Sequence, residues 1–92
     1  RWDMRVIWKY QTDGERTVIN AQKDAKFLHV DYQHGILCVW AEVDDEASSE
    51  QIELSVVGTG HENPKPTAEY IGTVQHPPFV WHVYWRPVTW IT

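Results

Sequence analysis

The stretch from Phe27 to Glu42 constrains the fold more than any other part of this chain. Apolar residues recur at alternate positions on both sides of His34-Gly35, a period that gathers them on one face of a strand but scatters them around a helix. Gly35 can take the positive φ that a two-residue hairpin loop requires, so His34-Gly35 forms the tip. Gln33 then faces Ile36, Tyr32 faces Leu37, Asp31 faces Cys38, Val30 faces Val39, His29 faces Trp40 and Leu28 faces Ala41. In this register one face carries Leu28, Val30, Tyr32, Leu37, Val39 and Ala41, which is a core face. The other carries Phe27, His29, Asp31, Cys38, Trp40 and Glu42, a mixture of aromatic and ionisable groups.

The same alternation runs through the rest of the chain. Met4 to Gln11 puts Met4, Val6, Trp8 and Tyr10 on one face, and Asp13-Gly14 supplies the turn after it. Arg16 to Asn20 gives a second strand, followed by a polar connection over Ala21 to Ala25 with room for one helical turn. Beyond the hairpin lies an acidic loop, Asp44-Asp45-Glu46-Ala47-Ser48-Ser49. Gln51 to Thr59 then forms a strand with Ile52, Leu54, Val56 and Gly58 on one face. Gly58-Thr59-Gly60-His61 ends that strand, and Pro64 and Pro66 make the following loop rigid and unable to join a ladder. Tyr70 to Gln75 and Phe79 to Trp85 are two further strands, separated by His76-Pro77-Pro78 and stopped by Arg86-Pro87. Residues 85–92 remain as a tail or an added edge strand. No stretch shows a 3.6-residue period beyond about one turn. The expected fold is all-β: a small antiparallel barrel or sandwich of six to seven short strands, forming a single domain over residues 1–92.

Composition narrows the possible functions. A chain of 92 residues buries about 60–65% of its unfolded surface, enough for a core without disulfides or a structural metal. A hydrophobic content of 42% excludes disorder. A formal charge of −5 argues against general nucleic-acid binding, which needs a basic surface. The lone Cys38 has no disulfide partner within the chain, so a reducing compartment is the default. No stretch reads as a signal peptide or reaches the ~20 apolar residues of a membrane helix.

Trp8-Lys9-Tyr10, Phe27-Leu28-His29-Val30, Leu37-Cys38-Val39-Trp40-Ala41, Gly58-Thr59-Gly60-His61, Tyr70-Ile71-Gly72-Thr73-Val74-Gln75 and Phe79-Val80-Trp81-His82-Val83-Tyr84 together resemble a family of small bacteriophage and prophage proteins, described as a domain of unknown function. The resemblance spans Val6 to Tyr84, and the Gly-Thr-Gly-His run is its most specific piece. It implies a phage origin and the cytoplasm of a bacterial host. Small phage proteins of this kind often act on host machinery, including as inhibitors of defence systems.

Several constellations could carry chemistry. Gly58-Thr59-Gly60-His61 could present a nest of backbone N–H groups to an anion, with the Thr59 hydroxyl and the His61 charge beside it; the plainer reading is a loop of residues that tolerate unusual φ. His29, His61 and His82 match the ligand types of a zinc site, with Cys38 opposite Asp31 as a fourth candidate. Their spacing enforces no convergence, so no metal and no cofactor are expected. Cys38 reads as a small buried residue rather than a nucleophile. Asp44, Asp45, Glu46, Glu50 and Glu53 could offer an acidic patch, or simply a solvated loop. Trp40, Trp81, Trp85 and Trp90 could form an aromatic platform. Trp81 reads as core, while Trp85 and Trp90 are candidates for contact with a partner.

The resulting expectation is a non-catalytic, phage-encoded binding protein that blocks or sequesters a host component. That component is either a host protein or a small nucleotide-like molecule, as for an inhibitor of a bacterial defence system. The ligand-binding candidates are Gly58, Thr59, Gly60 and His61, then His29 and Trp40; the partner-binding candidates are Trp85 and Trp90. The alternatives are a small histidine- or metal-dependent hydrolase using His29, His61 and His82, and a structural virion component. A homo-oligomer is expected, because Trp85, Val88, Trp90 and Ile91 sit in a stretch too short to make its own core.

Overall fold

The computed structural model describes residues 4–88. Seven strands follow one another, β1 (Arg5–Gln11), β2 (Arg16–Gln22), β3 (Lys26–Gln33), β4 (Ile36–Asp44), β5 (Ser49–Gly58), β6 (Glu69–His76) and β7 (Phe79–Pro87), with no helix among the described residues. They form two antiparallel sheets, one ordered β1-β4-β3 and the other β2-β5-β7-β6. The sheets stack as a sandwich rather than closing into a barrel. The smallest extent of the molecule, 18 Å, fits two sheets about 10 Å apart with their outer side chains.

The core forms where the alternation of the two sheets meets. β4 turns Leu37, Val39, Ala41 and Val43 inward and β5 turns Ile52 and Leu54 inward, all buried, joined by Val30, Val74, Val83 and Ala21. Each of β4, β5 and β7 has a strand on both sides, so inner-face side chains there are covered by the opposite sheet and by their neighbours.

Two bulges adjust the edges. The hairpin register holds from Gln33↔Ile36 to His29↔Trp40, then shifts so that Phe27, not Leu28, pairs with Ala41. A bulge inserts one residue and reverses the faces beyond it. Leu28, expected in the core, is 41% exposed. Phe27, expected on the outer face, packs against the core with its ring 5.2 Å from that of Trp85. The larger ring fills the space between sheets that Leu28 would have occupied. On β6 the register shifts between Tyr70 and Gly72. A side chain at Gly72 would meet Val30 Cγ1 at 2.7 Å, so glycine is what lets β3 of one sheet approach β6 of the other.

Other boundaries also moved. β2 continues to Gln22 with Ala21 buried, leaving a short turn over Lys23–Ala25, with Asp24 at φ 65°, where a helical turn had room. β7 runs through Arg86 to Pro87, which pairs with Ile52. Among the described residues, β7 beyond Trp85 has only β5 beside it, a position where proline is tolerated. Val88 still bonds β5, giving its N–H to the Gln51 carbonyl at 3.0 Å, and the tail beyond it, Trp90 included, lies outside the described residues.

The register places the Asp13-Gly14 turn, the His34-Gly35 tip, the Gly58–His61 turn and the Pro77-Pro78 turn at the same end of the sandwich. β5 and β6 both run toward that end, with β7 between them. The connection from Thr59 to Ala68 must therefore travel back along the sheet and cross β7.

Candidate functional site

The end where the turns gather is open between the sheets. A cleft of about 390 Å³ lies there, bounded by Thr12, Gly14 and Glu15 on one side and by Gly35, Ile36 and Leu37 on the other. Tyr32, Val56 and Trp81 line its interior. The walls follow from local chemistry. Gly14 and Gly35 adopt positive φ, 77° and 79°, and carry no side chain to fill the space. Thr12 ties the first turn to the hairpin by giving both its amide and its hydroxyl to the Leu37 carbonyl, each at 2.9 Å. Two stacked ring pairs brace the aromatic wall: Tyr32 on His76 at 4.2 Å and Phe79 on Trp81 at 5.0 Å. Rings held in this way keep a face available without losing side-chain entropy on binding.

A second cleft of about 200 Å³ adjoins the first, sharing Glu15, Val56 and Trp81 with it. It follows β5 past the start of β2 and runs under the crossover loop, where Glu62, Pro64 and Lys65 face Arg16, Ser55 and Val57. His61 lies at the junction, its imidazole so close over Gly58 that a Cβ there would meet Nδ1 at 2.8 Å and Trp81 Cζ3 at 3.2 Å.

The Gly58-Thr59-Gly60-His61 turn thus contributes to the site through its shape and the His61 ring. Its backbone donors are largely spent: His61 N donates to Gly58 O at 3.0 Å and Thr59 N to Val80 O at 3.2 Å. Gly60 supplies the positive φ of 86° on which the turn depends. The Thr59 hydroxyl is 2.7 Å from His82 Nε2, while His82 Nδ1 is 2.9 Å from the Thr73 hydroxyl, which in turn bonds the Tyr70 hydroxyl. This chain of polar groups fastens the turn to β7 and β6.

The remaining candidates lie elsewhere. His29 and Trp40 pack ring to ring at 6.0 Å on the outer face of the three-stranded sheet, away from both clefts. Trp85 is half-buried against Phe27, and Trp90 lies outside the described residues. His29 sits beside Asp31, Nε2 to Oδ2 at 3.8 Å, so the three histidines occupy three separate environments. Among the described residues no group of three His, Cys, Asp or Glu side chains is placed to hold a metal. Cys38 is fully buried, with Sγ 3.4 Å from the Ile36 carbonyl. Glu53, grouped above with the acidic patch, is only 1% exposed. It accepts from Arg16 Nε at 2.9 Å and Arg86 Nε at 3.1 Å. Burial alone would raise its pKa, but the hydrogen bonds and charges of the two guanidiniums outweigh this and hold it below the usual carboxylate range.

Sequence reasoning missed Tyr32, Ile36, Ser55 and Lys65; Trp81, read as core, does pack against the core and lines the cleft as well. Alternation puts Tyr32 and Trp81 on inner faces, where a core residue and a cleft wall look alike. What separates them is their place at the strand ends next to the glycine turns.

Fold and clefts together define an antiparallel β-sandwich with an aromatic-walled, ligand-sized opening at one end. By sequence the chain belongs to the family described as a domain of unknown function (DUF7352), whose model matches residues 4–89. No curated protein and no solved structure matches it. No helix among the described residues is long and apolar enough to cross a membrane.

Proposed function

We propose that this is a non-catalytic, phage-encoded binding protein that sequesters a small, flat, nucleotide-like molecule of its host, in the manner of an inhibitor of a defence system. The observation that carries this reading is the larger cleft. Its volume of about 390 Å³ lies within the range of small-molecule sites, roughly 300–1,000 Å³. Its lining of aromatic and aliphatic groups around two stacked ring pairs suits a planar heterocycle better than a flexible chain. Stacking on one aromatic side chain is worth about 1–3 kcal/mol. Calorimetric titration of the intact chain with a purine nucleoside tests the reading. Binding should weaken roughly 5- to 150-fold in Trp81→Ala and fall comparably in Ile36→Glu, which puts a charge at the mouth from a position 39% exposed. Unchanged affinity in both variants, or no binding by the unaltered chain, contradicts it.

A free sheet edge supports self-association as part of the same proposal. Among the described residues β1 has a partner on one side only, and its exposed residues include Ile7 (61%) and Trp8 (40%). An unpaired edge with apolar side chains pairs readily with another strand. A two-fold β1–β1 contact leaves the end cleft of each copy open. Light scattering should give a dimer mass for the intact chain and a monomer for Trp8→Lys. A monomer mass for the intact chain rejects the contact.

A further inference from the structure

Two buried side-chain polar atoms lack a hydrogen-bond partner among the described residues: the Tyr10 hydroxyl and Ser55 Oγ. Tyr10 has the Gln22 backbone near it. Ser55 is 4% exposed and lines the smaller cleft. A buried hydroxyl without a partner costs roughly 1–3 kcal/mol, and such a group in a native fold calls for an explanation.

The surroundings supply one. Lys65 and His61 both line this cleft, and among the described residues the Lys65 ammonium group has no partner. Arg16 spends Nε and Nη2 on Glu53 and, among the described residues, keeps Nη1 unspent. The charges are nearly balanced: Arg16 and Arg86 outnumber Glu53 by one positive charge, Lys65 adds another, and Glu15 and Glu62 offset both. Donors in excess within a balanced field favour one negative charge spread over two oxygens, whereas a dianion would meet two carboxylates at close range.

We infer that the smaller cleft is a subsite for a singly charged oxyanion of the phosphodiester kind, carried by the ligand whose flat ring occupies the larger cleft. This rests on the proposed function of the larger cleft. Ser55 Oγ donates to one oxygen, Lys65 Nζ to the other, and His61 closes the side next to Trp81. The two clefts have Glu15, Val56 and Trp81 in common, so they lie side by side, and the ligand reaches from one into the other past these residues.

The test compares adenosine, adenosine 3′,5′-cyclic monophosphate (a singly charged diester) and adenosine 5′-monophosphate (a dianion at neutral pH) by calorimetry on the intact chain. The cyclic diester should bind roughly ten- to a hundredfold more tightly than adenosine, and the dianion should gain less. Ser55→Ala and Lys65→Gln should each remove most of the diester's advantage and leave adenosine binding unchanged. Ser55→Ala should also unfold at the same or a higher denaturant concentration, because it removes an unsatisfied hydroxyl. If adenosine binds and the diester shows no advantage, or keeps it in both variants, the subsite is overturned and the larger cleft stands. If no adenosine compound binds, both readings fall together.

Discussion

Glu53 shows how little of a residue's role its position in a strand reveals. Alternation puts it on the outer face of β5, where a carboxylate is ordinarily solvated, yet it is almost fully buried between Arg16 and Arg86. Both arginines remain partly exposed, with side chains 62% and 30% accessible. Losing the carboxylate therefore leaves no stranded buried charge, and the cost is that of charge-assisted hydrogen bonds rather than of a broken buried pair. Glu53→Gln should destabilise by about 1.5–3 kcal/mol in urea unfolding at pH 7. The folded-state pKa is depressed, so this stabilisation is present above the unfolded carboxylate pKa and disappears as pH falls through the lower folded value. The stability difference between Glu53→Gln and the unaltered chain should accordingly shrink on acidification below the ordinary glutamate range. A difference that stays constant with pH contradicts the ion-pair account. Gly72 makes a steric counterpart: Gly72→Ala should cost about 1–3 kcal/mol, because Val30 Cγ1 stands 2.7 Å from the added carbon.

At the scale of the element, the β3–β4 hairpin separates what a sequence shows from what it hides. Its tip and its register from Gln33↔Ile36 to His29↔Trp40 follow from the His34-Gly35 turn and from alternation, both local. The bulge beyond His29 is not local. It depends on the ring space offered by Trp85 and Tyr10 from other strands, and nothing within Phe27-Leu28 signals it. The two residues should therefore behave opposite to the simple pattern. Phe27→Ala should cost about 2–3 kcal/mol, below the 3–5 typical of a fully buried ring, and Leu28→Ala less than about 1 kcal/mol. Denaturant midpoints of the two variants check this, and a larger loss for Leu28→Ala would put the wrong side chain in the core. The crossover from Thr59 to Ala68 hid the candidate site in the same way. Gly58 and His61 were visible as turn residues, but Ser55 and Lys65 line one cleft only because this loop passes back over the sheet. Strand patterns carry no information about the path of such a connection.

For the molecule as a whole, the arrangement of turns matters more than any single motif. Asp13-Gly14, His34-Gly35 and Gly58–His61 are each ordinary turn chemistry, readable from the chain one at a time. Antiparallel pairing in two sheets brings them to one end, where small residues leave a gap that Tyr32 and Trp81 wall with rings. A rigid sandwich with an opening at its rim is a common way to hold a ligand on loops without disturbing the core. At 10.8 kDa the protein suits residue-by-residue observation in solution. The most direct test is amide chemical-shift mapping during titration with adenosine. The account predicts shifts that concentrate at Gly14, Tyr32, Ile36, Leu37, Val56 and Trp81 and spare His29 and Trp40. Shifts centred on His29 and Trp40, or none at the turn-bearing end, would contradict it.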